Sequence, residues 1–370
     1  MRILLFGEFS GLFVCLKDGL ERLGHEVYTV SNGDYYKDYP ADFRYDNHVS
    51  TKLGFFRFLR APYDFLNLWI HRKRLIGFDV VYFVDPSVIS RHPIWNASLY
   101  RYMIKHNKTS FLCGAGDTAI MVDYWFASNK KYRHYVEGLM TGQRKKKRVV
   151  LGNNPKLRKW ENELMHLVDG YIPIWYEYAE PFREYNSLMP AIRIPINWEK
   201  IKYRPNVVKG KVVFFHGIPN RPEAKGTALI KEAFSRMEKK YGEVAEFHCA
   251  GGLPFSEYMQ LVSRTNVILD DANSYSIAMN GLFAMAQGKV VLGGAEPEGN
   301  KELKIDGVNP VFNIEHSVEQ ICSQIEYIIN RKDKIEEWGY MSRKFVEKYH
   351  DSVEIAKQYT VVFQSMLKNI

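Results

Sequence analysis

The chain has 370 residues, 46% of them hydrophobic, with no low-complexity tract, which suits two α/β cores of ordinary size and excludes a disordered chain. No run approaches the roughly 18 apolar residues of a spanning helix, and Met1 leads into a strand with no basic-then-apolar leader, so the expected location is the cytoplasm, peripheral at most on the inner face of the plasma membrane. The formal net charge of +9 favours an anionic partner, but no recognisable nucleic-acid module accompanies the basic residues, so nucleic acid is not expected.

In chain order, Arg2 to Phe6 reads as a strand and Phe13 to Leu23 as a helix closed by Gly24. The loop between them, Gly7, Glu8, Phe9, Ser10 and Gly11, has glycines that let backbone approach a ligand. Glu26 to Val30 is a second strand. From Lys52 to Arg74, Phe55, Phe56, Phe58, Tyr63, Phe65 and Trp69 are interleaved with Arg57, Arg60, Arg72, Lys73 and Arg74 against the single acid Asp64. A second basic run, Arg144 to Arg148 with Lys156, Arg158 and Lys159, contains no acid. The spans 52–74 and 144–159 suit an anionic membrane surface, at about 1 kcal/mol per Lys or Arg held near it, or else form a solvated face over core aromatics.

Asp79 to Val84 and Thr109 to Cys113 are strands, with Leu99 to Lys105 in a helix between them. The last of these strands runs into Gly114, Ala115, Gly116, Asp117 and Thr118. A carboxylate in a glycine-flanked loop at the carboxyl end of a parallel strand lies where such sheets bind ligands. Asp117 is therefore a candidate partner or base for a substrate hydroxyl, or else a cap for the next helix. His92, between Arg91 and Pro93, reads as an exposed loop histidine. Tyr171 to Trp175 closes the first domain, and 189–211, carrying Pro190, Pro195 and Pro205, reads as linker and hinge.

In the second half, the apolar runs Val212 to Phe215, Val244 to Cys249, Val267 to Leu269 and Val290 to Leu292 alternate with helical segments, the pattern of a parallel sheet with crossover helices. The first helix is expected to start at Lys225-Gly226, to place Leu229, Ala233 and Met237 on its apolar side, and to end at Gly242. A cation beside a helix N-terminus suits phosphate, so Lys225, with Arg221 four residues before it, is the candidate anion site. Asp270 and Asp271 are adjacent on a strand and are expected to point to opposite faces, which argues against a metal pair. Val318 to Asn330, Lys334 to Tyr349 and Val353 to Leu367 are amphipathic helices. Cys15, Cys113, Cys249 and Cys322 are far apart, without metal-ligand spacing, and read as reduced core residues.

The order of strand, HGIPNRPEAKG, helix, a strand ending in Ala250-Gly251-Gly252, a strand ending at Asp270-Asp271, the segment GLFAMAQGKVVLGG and Glu302 followed by IDGVNP resembles the donor half of GT-B glycosyltransferases. The group it is most similar to is the retaining group 1, or family 4-like, one. The opening MRILLFGEFSGLFVCLKDGLERLGHEVYTV resembles the start of that family's acceptor domain. The resemblance implies two Rossmann-like α/β domains facing each other across a cleft. These are an acceptor domain, 1–195 with a crossing helix at 352–370, and a donor domain, 206–351. It implies donor contacts from Gly217, Arg221, Lys225, Gly251, Asn273, Ser274, Tyr275, Ser276 and Phe283, with amides near Ala278 to Gly281, although the polar residues of 273–276 equally suit a helix cap. Gly7, Glu8, Ser10 and Gly11 would form a cleft loop; Asp117, Lys225 and Arg221 would be catalytic; Glu298 and Glu302 are further acids within reach of the sugar or are solvated.

The implied reaction takes a UDP- or GDP-linked sugar as substrate, with no metal and no cofactor. Its acceptor is lipid-linked or polysaccharide, in a surface-glycan pathway such as lipopolysaccharide. The leaving phosphate takes the acceptor's proton on the same face. The family usually carries two glutamates with seven residues between them, and aligning on Ala284-Met285-Ala286 puts Tyr275 and Phe283 at those positions. The second acid normally grips the ribose, a charged hydrogen bond contributing roughly 1.5 to 3 kcal/mol. Aromatic contacts replace it, Asp270 or Asp271 takes its role, or the chain is a decayed, GT-B-like nucleotide- or glycan-binding or scaffold protein.

Overall fold

A computed structural model describes residues 1–34, 37–46, 59–90, 92–145, 154–253 and 255–367. Residues 52–58 of the first basic stretch and 146–153, in the second, lie outside the described residues. The chain divides into two compact units, Met1–Asp123 with Leu151–Pro195 and Ser352–Ile370, and Tyr124–Val150 with Ile196–Asp351.

The first unit contains β1 (Arg2–Phe6), α1 (Leu12–Arg22), β2 (Glu26–Ser31), β3 (Phe43–Arg44), α2 (Arg60–Ile70), β4 (Val80–Phe83), α3 (Ile94–His106) and β5 (Thr109–Gly114). The division falls within α4 (Ala119–Ala127), which is followed by α5 (Tyr132–Lys145) of the second unit and α6 (Pro155–Leu167), β6 (Gly170–Pro173) and α7 (Tyr176–Ala179) of the first. Its sheet has the order β3-β2-β1-β4-β5-β6, and the adjacent long strands pair in parallel, with Phe6 opposite Val30 on one side and Phe83 on the other. Helices cover both faces of such a sheet, so the strands read as apolar runs with no alternation. The core is rich in aromatics: Phe83 stacks on Tyr100 at 4.3 Å between ring centroids. The Tyr100 hydroxyl is buried at no loss because it donates to the Asp85 carbonyl at 2.7 Å.

The second unit contains β7 (Val212–Ile218), α8 (Thr227–Tyr241), β8 (Ala245–Gly251), α9 (Phe255–Arg264), β9 (Val267–Leu269), α10 (Met279–Ala286), β10 (Val290–Gly293), α11 (Pro297–Glu302), β11 (Phe312–Asn313), α12 (Val318–Ile329) and α13 (Ile335–Tyr349). Its parallel sheet has the order β11-β10-β9-β7-β8. On α8 the buried side is Ile230, Ala233, Phe234 and Met237, so the expected apolar face is rotated slightly and Leu229 sits at its edge. Ile321, Ile325 and Ile328 of α12 are fully buried against the same core, each stabilising the fold by about 1.5–3 kcal/mol.

Three findings differ from the sequence reading. Residues 124–150 cluster with the second unit: Trp125 is fully buried and lies 5.9 Å from Tyr275, and Lys131 Nζ reaches Glu296 Oε1 at 2.6 Å and the Ile314 carbonyl at 2.7 Å. Cys15 and Cys113 are buried, but Cys249 is exposed and Cys322 half-buried, because β8 is an edge strand whose residues mostly face outward. The two-residue strands β3 and β11 are too short to leave a periodic signal. The last helix, α14 (Ser352–Leu367), belongs to the first unit, where it packs along α1. A Cβ on Gly19 would overlap the Ser352 carbonyl, and Tyr359 and Phe363 enter the core beside Tyr82.

Candidate functional site

In an open parallel sheet the loops at the carboxyl ends of the strands bind ligands where the strand order reverses. In the second unit that point lies between β7 and β9, and it brings together the 219–226 and 270–278 loops. Gly226 enters α8 in the left-handed region, φ 71°, and no side chain at that position caps the helix. Lys225, 20% exposed at its side chain, sits beside this helix start with Nζ 3.5 Å from Asp270 Oδ1 and 3.7 Å from Asp271 Oδ2. These distances exceed those of a strong charge-assisted hydrogen bond, so the ammonium is shared by the two acids.

That geometry corrects the expectation that Asp270 and Asp271 point to opposite faces. β9 ends at Leu269, and the strand alternation that would separate them ends with it. Asp270 Oδ2 accepts from the Ala278 amide at 3.0 Å and Asp271 Oδ1 from the Asn273 amide at 2.8 Å. Burial works against the charge on Lys225, but Asp270 and Asp271 outweigh it and hold its pKa above the ordinary value. Burial, with Asp270 adding to it and Lys225 only partly offsetting it, raises Asp271 above the usual carboxylate range. Arg221, exposed, has Nη1 3.5 Å from the Tyr135 hydroxyl. On β7, His216 is fully buried between the Leu269 carbonyl at 2.8 Å and Thr227 Oγ1 at 3.0 Å, and burial pushes it down to about 4.

The other proposed donor residues are mostly embedded. Asn273 is fully buried, donating to the Ala224 carbonyl at 2.6 Å while its Oδ1 lies 2.7 Å from His316 Nδ1; it ties the two loops together. Ser274 and Ser276 are buried, and a Cβ on Gly294 or Gly299 would crowd this stretch. Tyr275 and Phe283 are buried aromatics, 5% and 7% exposed. Gly217 and Gly251 lie against Tyr258 and Ile218. Glu298 is exposed and Glu302 half-buried on α11. Among the described residues no group of three His, Cys, Asp or Glu could hold a metal ion.

Sequence reasoning missed a wall of this site. A Cβ on Gly138 of α5 would overlap the Glu223 carbonyl, and Gly142, one turn on, faces the Glu223 carboxylate. The helix therefore lies backbone to backbone on the 221–226 loop. His134 stacks on His316 at 3.9 Å, and Glu296, held by Lys131 and Asn313, is the acid that is engaged in place of Glu298. The signal in the sequence was the pair Gly138 and Gly142 spaced for one helix face.

In the first unit the strand order reverses between β1 and β4. Glu8 is 5% exposed and caps α1, accepting from Gly11 and Val14 amides at 2.9 Å each and from Phe13 at 3.4 Å. Burial raises it to about 7 despite these bonds. The expected cleft loop is thus largely spent on protein: Ser10 accepts from Lys37 Nζ at 2.6 Å, Gly11 meets Tyr39, and Gly7 meets Val84. Asp117 is 1% exposed. The amides of Ala119, Ile120 and Met121 at the start of α4 are taken by Glu161 and Thr118. A Cβ on Gly116 would overlap Asp85 and crowd Phe9, so the loops after β1, β4 and β5 converge here. His92 is exposed.

No protein-family profile matches the chain, and no curated sequence matches it either. Solved structures do match in fold. Anabaena HepE, solved with UDP and glucose, superposes with a TM-score of 0.62 at 13% identity over 99% of this chain and 100% of that one. The sucrose-phosphate synthase of Thermosynechococcus elongatus gives 0.63 at 13% identity over 100% of both. The UDP-GlcNAc 2-epimerase of Neisseria meningitidis, bound to UDP-GlcNAc, gives 0.51 at 12% over 100% of both. These likenesses show the fold, which is GT-B: two parallel-sheet α/β units of the kind found in those glycosyltransferases.

Proposed function

We propose that this chain is a glycosyltransferase that moves a sugar from a UDP- or GDP-linked donor onto a lipid-linked or polysaccharide acceptor, with retention and without a metal or cofactor. The observation that carries the reading is Lys225 beside the start of α8, at the strand-order reversal, with a cation not fully clasped by Asp270 and Asp271. A diphosphate there would meet helix amides and Lys225, with Arg221 one turn before it, and these groups stabilise the charge that grows on the leaving phosphate. Asp117, at the converged strand ends of the first unit, is proposed to bind or polarise the acceptor hydroxyl. The neighbours solved with UDP or UDP-sugars support a nucleotide-sugar ligand. Among the described residues no helix is long and apolar enough to cross a membrane, so access to a lipid-linked acceptor is proposed to come from peripheral contact.

A second reading has its own observation. Tyr275 and Phe283 are buried aromatics where the resembling family uses acids, which fits a protein that still binds nucleotide or glycan but has lost turnover. Moreover, one of the fold neighbours is an epimerase and not a transferase.

Calorimetric titration with UDP and GDP, with and without magnesium, tests the donor site. Metal-independent binding that weakens tenfold or more in Lys225→Ala, about 1.4 kcal/mol, is the expected result; no binding of either nucleotide at millimolar concentration overturns it. If Phe283→Glu binds nucleotide more tightly than the parent, the decayed reading gains; if it binds more weakly, the aromatic is an adapted contact.

A further inference from the structure

Helix α2 is turned inside out. Its only acid, Asp64, and Leu68 are its buried residues, whereas Leu66 and Ile70 on the opposite side are 55% and 63% exposed, with Leu59 just before the helix at 44%. Leu59, Tyr63, Leu66 and Ile70 follow the spacing of a single helix face, so this is a continuous apolar stripe presented outward. Asp64 faces inward toward Arg60, 3.5 Å away. The first turn of α3 adds Ile94, 61% exposed.

Beside the stripe lies a set of packed aromatics. Phe65 stacks on Trp69 at 5.6 Å and contacts Trp95 at 5.6 Å, and Trp69 contacts Tyr102 at 5.9 Å. Arg72 lies over the Trp69 ring at 5.0 Å and near Tyr102 at 5.9 Å. Lys73 and Arg74 follow, both exposed, and α3 ends in exposed Lys105 and His106. Apart from buried Asp64, neither α2 with the turn after it nor α3 contains an acid. Exposed aliphatics, ring-stacked tryptophans and a cationic border to which α2 and α3 themselves contribute no exposed acid form the pattern of a helix lying in a bilayer interface, and the charge favours an anionic leaflet.

We propose that the face formed by α2 and the first turn of α3 docks on an anionic membrane surface, with Leu59, Leu66, Ile70 and Ile94 entering the acyl boundary and Arg72, Lys73, Arg74 and Lys105 meeting lipid phosphates. This rests on the proposed function only for the place where the acceptor is met; the donor chemistry is independent of it.

The test is co-sedimentation of the full chain with vesicles of phosphatidylcholine alone and with about one third phosphatidylglycerol. The expected result is binding to the anionic vesicles that falls with salt and drops at least tenfold in Leu66→Ser/Ile70→Ser. A control, Lys239→Glu/Lys240→Glu on α8, reverses two charges away from the face and should keep most of the binding. Equal binding of parent and double serine variant, or an equal loss in the control, overturns the proposal, since either means that charge alone acts. So does a parent that is a dimer in solution and becomes a monomer in the serine variant, because the face is then a contact between copies. UDP titration without vesicles reads the donor site separately and should match between parent and serine variant. Should the double variant not fold, Ile70→Ser alone carries the same comparison, with a loss of about threefold or more expected and parental binding counting against the face.

Discussion

The two units begin alike and then diverge in charge. Each runs a central parallel strand into a loop whose left-handed glycine, Gly11 at φ 90° or Gly226 at φ 71°, opens a helix with no cap from its own side chain. In the first unit the free amides of α1 are taken by the buried carboxyl of Glu8. In the second the corresponding helix start has Lys225 beside it, and the buried titratable group on the strand is a base, His216. One backbone device thus gives a helix start capped by a carboxyl in one unit and a helix start with a lysine beside it in the other. The side chain at the loop decides which, because helix amides satisfied by a carboxylate have nothing left for a ligand phosphate.

The largest expected consequence is a pair of opposed pH dependences. Glu8 is raised from 4.5 to about 7. Between those values the unfolded chain loses the proton that the folded unit keeps, so stability falls as pH rises through that window, by about 3 kcal/mol. His216 is lowered from 6.5 to about 4, so its contribution is full above pH 6.5 and is lost, again by about 3 kcal/mol, as pH falls toward 4. Hydrogen exchange read separately in the two units between pH 4.5 and 7 should show protection falling with rising pH in the first and rising in the second. Glu8→Gln should flatten the first trend alone. A parental profile without opposite slopes breaks the comparison.

Next are two glycines that let backbones touch. Gly19→Ala drives a Cβ into the Ser352 carbonyl, and Gly138→Ala drives one into the Glu223 carbonyl; overpacking of this kind costs about 1–3 kcal/mol. The first should lower the melting temperature and leave UDP affinity unchanged. The second should weaken UDP binding by shifting the 221–226 loop. Reversed outcomes would mean that α5 is not a wall of the proposed donor site.

A smaller effect sharpens the electrostatic side. Asp271→Asn keeps an acceptor for the Asn273 amide but removes one of the two charges sharing Lys225. Nucleotide affinity at low salt should rise about two- to fivefold, roughly 0.5–1 kcal/mol; a loss would show that the acid itself contacts ligand. Smallest of all, a maleimide should label Cys249 fast and Cys322 slowly, with Cys15 and Cys113 protected until unfolding. Burial raises the Cys113 thiol to about 12, which removes its thiolate at neutral pH.

Residues close in sequence determined much of this protein. Apolar runs such as Arg2–Phe6 and Val267–Leu269 coincide with strands because a strand buried on both faces needs continuous apolar sequence, and the helix stop at Gly24 follows from its left-handed backbone, φ 83°. Lys225 was visible as a candidate because a helix start lies one residue away. What the sequence could not contain was pairing between distant segments. That Asp270 and Asp271 converge on one ammonium depends on β9 ending at Leu269. That residues 124–150 join the second unit depends on Trp125 finding Tyr275 some 150 positions later. That Leu66 and Ile70 face outward while Asp64 is buried inverts the rule any periodicity argument uses, because a hydrophobic stripe shows which side of a helix is apolar, and only tertiary packing decides which side is inside.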